Sequence, residues 1–176
     1  MRGKRGRREW DAFDEFCRRE YPRLVGSIGL IVGNIDVAAD AVSEALARAW
    51  NRHQRGEDPE VLGAWIRVVA LNIARSQHRH RLVEERHLPR LLPTVRANTD
   101  HEGWGLSVDV KNALANLPRR QREVAVLHFI LDLSVDRIAE DLGLAPSTVK
   151  TSLQRARARL NAALQDRAGE VLNDAS

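Results

Sequence analysis

Seven side chains between positions 147 and 157 can donate hydrogen bonds from one helical face: Ser147, Thr148, Lys150, Thr151, Gln154, Arg155 and Arg157. Glutamine pairs bidentately with adenine and arginine with guanine, while lysines and hydroxyls suit phosphate oxygens. The chemistry on offer is recognition of a nucleic acid. Arg157 and Arg159 are assigned to phosphates or solvent rather than to bases.

A second group is acidic. Asp36, Asp40 and Glu44 stand four apart and share one helix face. Such a stripe either meets arginines on a partner helix or is simply solvated. Nothing in the chain points to catalysis. It has no phosphate-cradling glycine loop and no nucleophile elbow, and Ser43 and Cys17 lack a catalytic context. His78, His80, His87 and His101 form no compact ligand set, so no metal and no cofactor are expected.

The basic face needs an element to carry it. Residues 134–160, SVDRIAEDLGLAPSTVKTSLQRARARL, read as helix, tight turn and basic helix. Val135, Ile138, Ala139 and Leu142 form one apolar face, behind Ser134 as N-cap. Gly143 suits the left-handed residue that ends a helix, and Pro146 suits a first turn. Val149, Leu153, Ala156 and Leu160 form the buried stripe of the second helix. This is the layout of a DNA-binding helix-turn-helix, with an ordinary helical hairpin as the alternative.

Bulk properties agree. The chain has 176 residues and a formal net charge of +4, with a pI of about 9.9, which suits a polyanionic partner. One cysteine excludes an internal disulfide framework. No apolar run approaches the ~18 residues of a membrane span, and the basic N-terminus lacks a signal-peptide core, so a cytoplasmic protein is expected. Ala, Leu, Val, Arg and Glu dominate, which predicts an all-α chain of two small helical domains.

Along the chain, 1–8 reads as a disordered basic arm. One or two helices follow over 10–32, with Trp10, Phe13, Phe16 and Cys17 on one face and Pro22 at a possible first turn. Gly33-Asn34 marks a turn, and Asp36 opens a helix to about Asn51, with Val42, Leu46 and Trp50 on a stripe. His53–Pro59 breaks the pattern before a helix over 60–81 with Leu62, Ile66, Val69 and Ile73 at helical spacing. The first domain is therefore set at 9–83. Residues 84–107 read as a linker with a helical turn near Leu88–Leu92. Helices resume over 108–116 and 118–131 and complete a second domain, 108–167, before a polar tail, 168–176.

The second domain, ALANLPRRQREVAVLHFILDLSVDRIAEDLGLAPSTVKTSLQRARARL, closely resembles region 4 of the sigma-70 family of RNA polymerase sigma factors. VAADAVSEALARAW resembles region 2.2 of the extracytoplasmic function (ECF) group, and LGAWIRVVALNIARSQHRHR resembles its regions 2.3–2.4. Order and spacing match over about 9–165. The resemblance implies that the chain binds core RNA polymerase (β and β′ subunits) and promoter DNA, recognises −35 and −10 elements and nucleates melting. An anti-sigma factor is a further candidate partner, as in many members of the group.

By the same resemblance, Asp36, Asp40, Ser43 and Glu44 face the clamp helices of the largest polymerase subunit, Ser43 standing where many members have Gln. The loop Asn51–Leu62 takes the position of the pocket for an unstacked −10 base. Asn72, Arg75, His78 and Arg79 match helix positions facing −10 DNA, and Ser76 replaces a common Asp. Trp65 is either a stacking platform or core. Lys150, Thr151, Gln154 and Arg155 match positions facing the −35 element, with Thr148 on a phosphate. Two other readings compete: a LuxR-like helix-turn-helix regulator, which needs a sensor or dimerisation domain in front, and a polymerase-binding protein that reads no promoter.

Overall fold

The computed structural model describes the backbone of residues 4–57, 59–87 and 105–174, and the side chains of 11–57, 59–79 and 105–165. Every regular element among them is helical, as the composition predicts. Chain contacts divide the protein into two compact units, Met1–Arg96 and Ala97–Ser176.

In the first unit α1 (Lys4–Val32), α2 (Ile35–Gln54) and α3 (Leu62–His87) pack on one another. Asn34 caps α2, its side-chain oxygen accepting from the Val37 amide at 2.9 Å. The core joins Leu24, Val25 and Ile28 of α1 to Val37, Ala38, Ala41, Val42 and Ala45 of α2 and to Ile66, Ala70, Leu71 and Ala74 of α3. Alanines dominate the α2 and α3 contributions, because small side chains let helix axes approach closely. For the same reason the α3 stripe read from large residues is displaced. Of Leu62, Ile66, Val69 and Ile73 only Ile66 is buried, and Ala64, Ala70, Leu71 and Ala74 complete the inward face.

Several boundaries differ from the sequence reading. The expected disordered arm is helical from Lys4, and α1 is one helix with Pro22 inside it. Extending an established helix costs no new nucleus, and Arg, Lys and Glu propagate it well. Pro22 is exposed and precedes buried Leu24 and Val25, whose packing offsets the lost backbone hydrogen bond. Arg52–Gln54, beyond the helix end read at about Asn51, extend α2, and α3 runs through the expected linker start to His87. The turn near Leu88–Leu92 lies outside the described residues.

The second unit contains α4 (Val108–Ala115), α5 (Arg119–Ala125), α6 (Val135–Leu142) and α7 (Pro146–Asp174). The tail read at 168–176 is helical to Asp174. α7 packs on α4, α5 and α6 around Leu114, Val124, Leu127, Ile138, Val149 and Ala156. Glu123 is 1% exposed. It accepts from Arg119 Nε at 3.1 Å and Arg120 Nη1 at 3.2 Å, so its buried carboxylate is compensated. Arg122 donates to the carbonyls of Ala115 and Leu117 at 2.6 and 3.1 Å, which ties the α4–α5 turn.

The helix expected over 118–131 changes character midway. Val126–Ile130 is a π-helical turn, closed by the Leu131 amide donating to the Val126 carbonyl at 3.2 Å. Asp132 follows in the left-handed region (φ 54°). His128 Nδ1 lies 2.8 Å from the Leu133 carbonyl and holds the chain as it turns into α6. The wider turn brings Phe129 to the surface, 44% exposed.

Candidate nucleic-acid interface

The helix-turn-helix forms as its local signals require. Ser134 Oγ accepts from the Arg137 amide at 3.2 Å and caps α6. Gly143 ends that helix with φ 63°, a conformation that costs a side-chain-bearing residue about 1 kcal/mol or more. The Leu144 amide then donates to the Ala139 carbonyl at 2.9 Å. Pro146 opens α7, where no amide is needed.

Helical periodicity divides α7 cleanly. Val149, Leu153 and Ala156 are buried, and Leu160 is half-buried. Ser147, Thr148, Lys150, Thr151, Gln154 and Arg155 are all exposed on the outer side. Thr151 Oγ1 donates to the Ser147 carbonyl at 3.0 Å, which uses its proton and leaves the oxygen to accept. Among the described residues no polar partner engages Lys150, Gln154 or Arg155, so their donors point to solvent. Arg157 differs: its guanidinium carbon sits 5.6 Å from the Phe129 ring centroid, a cation–π distance that holds it at the flank of the helix.

On α2 the four candidate polymerase contacts, Asp36, Asp40, Ser43 and Glu44, are exposed, while Val37, Ala41, Val42 and Ala45 turn inward. Glu44 pairs with Arg48 Nε at 2.7 Å. Ser43 Oγ is 3.5 Å from the Tyr21 hydroxyl, at the limit of a hydrogen bond.

On α3 the candidate −10 residues separate. Trp65, Asn72, Ser76 and Arg79 follow one another by seven, four and three residues and therefore share a stripe. Asn72 and Arg79 are exposed, Trp65 and Ser76 half-buried. Arg75 stands beside the stripe and donates to Asn72 Oδ1 at 3.4 Å. His78 does not join them. It follows Leu71 by seven and Ala74 by four, which puts it in line with the core-facing side of α3. His78 is nonetheless half-buried, like Arg75 and Ser76, and keeps part of its surface open.

Two further features carry no sequence signal. Arg52, in the last turn of α2, lies over Trp65 with 5.5 Å from guanidinium carbon to ring centroid. Phe13 and Trp50 pack with ring centroids 5.1 Å apart and close the same end of the unit. Cys17 is half-buried, and burial, assisted by the Asp14 carboxylate, pushes its thiol above the usual pKa. A raised thiol pKa disfavours the nucleophilic thiolate.

No helix among the described residues is long and apolar enough to cross a membrane. A family model described as Sigma-70, region 4 matches residues 107–160. The chain is 34% identical to the RNA polymerase sigma-E factor of Streptomyces coelicolor, over 84% of this chain and 83% of that protein. It is 30% identical to the ECF RNA polymerase sigma factor SigL of Mycobacterium tuberculosis, over 77% and 79%. The sigma factor RpoE of Bartonella quintana, solved in complex with the anti-sigma factor NepR, superposes with a TM-score of 0.69 at 26% identity. That match covers 88% of this chain and 97% of RpoE. Similarity on this scale runs through both units in one order, and the chain belongs to the ECF group of the sigma-70 family of RNA polymerase sigma factors.

Proposed function

We propose that the chain binds core RNA polymerase through the acidic α2 face, reads the −10 element with α3 and the loop before it, and reads the −35 element with α7. The observation that carries this reading is the relatedness over both units, since a plain helix-turn-helix regulator would share only the second. The chain is a transcription initiation factor, and bond-making belongs to the polymerase. Its place of work is the cytoplasm, where the chromosome is.

Asp36, Asp40 and Glu44 offer an acidic stripe to arginines of the polymerase, with Ser43 among them. Asn72, Arg75, Ser76 and Arg79 line the −10 strand, and His78 stands at the edge of this group. Trp65 supports the loop from beneath. On α7, Gln154 and Arg155 read bases, Lys150 and Thr151 flank them, and Thr148 anchors a phosphate. The capture of the similar RpoE with an anti-sigma factor supports a partner of that kind here.

Replacing Gln154 or Arg155 by alanine is expected to relax the −35 preference by about 1–3 kcal/mol, the worth of a good bidentate pair. Competition binding of holoenzyme to −35 duplexes changed one base pair at a time measures it. A variant that keeps the wild-type ranking of all substituted sites would remove that residue from base readout. Lys150→Ala, by contrast, should weaken every site about equally and lower the salt dependence.

A further inference from the structure

We infer that Arg52 is a positioning residue for the loop that captures the unstacked −10 base, an inference that rests on the −10 reading proposed above. Arg52 stands at the junction of three segments. Its Nε donates to the Glu57 carbonyl at 3.2 Å. Its own carbonyl accepts from the amides of Arg55 and Glu57 at 2.9 and 3.1 Å. Backbone and side chain of Arg52 therefore hold one residue, Glu57, at its amide and at its carbonyl. The Gly56 amide completes the turn by donating to the His53 carbonyl at 3.0 Å, and Gly56 takes φ 73°. Above this turn the guanidinium covers one face of Trp65, in the first turn of α3.

Only a planar, forked cation can do both things at once. A guanidinium stacks flat on an indole while its edge donates in plane to a carbonyl. Lysine supplies charge but not that geometry. The ion pair with the Glu57 carboxylate is long, 3.9 Å, and half-exposed, so Coulomb attraction contributes little. What Arg52 provides is order. A loop set before binding loses less conformational entropy when a base enters, and a fixed pocket distinguishes bases better than a mobile one. Trp65 then acts as the platform for Arg52 rather than for a base.

The test uses holoenzyme assembled from core polymerase and the full chain, with single-stranded −10 oligonucleotides bearing each of the four bases at the captured position. Wild type should discriminate among them. Arg52→Ala should lose about tenfold in that discrimination, with core-polymerase affinity and −35 duplex affinity unchanged. Arg52→Lys should not rescue it. Undiminished discrimination in Arg52→Ala, full rescue by lysine, or a parallel fall in −35 binding would each overturn the positioning role. Absence of base discrimination in the wild type would instead overturn the −10 reading beneath it.

Discussion

Replacing Asp40 and Glu44 together by lysine is expected to abolish capture of core RNA polymerase while far-ultraviolet circular dichroism stays unchanged. Both carboxylates are exposed, and the adjoining core positions Ala41, Val42 and Ala45 are untouched by the change. Among the described residues the ion pair lost is Glu44 with Arg48, which has both side chains about half exposed and contributes little. A lysine beside Arg48 costs the helix only about 0.2–0.5 kcal/mol. Against a basic partner the arithmetic is different. Attractive pairs become like-charge pairs, which cost several kcal/mol, and a loss of roughly 4 kcal/mol lowers affinity about a thousandfold. Pull-down and fluorescence anisotropy with core polymerase measure this directly. Unchanged affinity would assign the stripe to solvent.

The second large effect is on stability. Ile138→Ala is expected to destabilise the second unit by about 2–5 kcal/mol, with Ile138→Val costing about 0.5–1.5 kcal/mol. Ile138 is fully buried, 0% exposed, in α6, which packs on α7. Domains retain only about 5–15 kcal/mol in all, and small ones sit at the low end. The alanine variant should therefore lose −35 duplex binding at temperatures where the valine variant keeps it. Core capture through α2 should survive, because that face lies on the other unit. Thermal unfolding of both variants decides the matter: equal shifts would show that the α6–α7 packing does not hold the reading helix in place.

The parts of this architecture that were legible in the sequence are those whose signals are local. Ser134, Gly143 and Pro146 each satisfy a backbone requirement within a few residues, so the α6–α7 turn follows from them. The exposed face of α7 and the acidic face of α2 follow from phase alone. Helix ends were less legible where nothing stops a helix. Lys4–Arg8 and the segment after Arg81 are rich in residues that tolerate helix, and an existing helix extends into them. The π turn at Val126–Ile130 has no compositional mark, because widening by one residue changes hydrogen bonding and not residue type. The α3 core escaped a search for large apolar residues because Ala64, Ala70 and Ala74 supply much of it. Arg52 over Trp65 joins two helices across a loop, and such tertiary meetings leave no periodic trace.

One chain reads two promoter elements for one polymerase. Run-off transcription with purified core polymerase, on a template library randomised across both elements, tests it most directly. Sequencing the transcribed templates should reveal two fixed blocks at a constant spacing, with initiation a short distance downstream of the second. No transcript above core polymerase alone, or enrichment of a single block, would rule out reading of two elements by this chain.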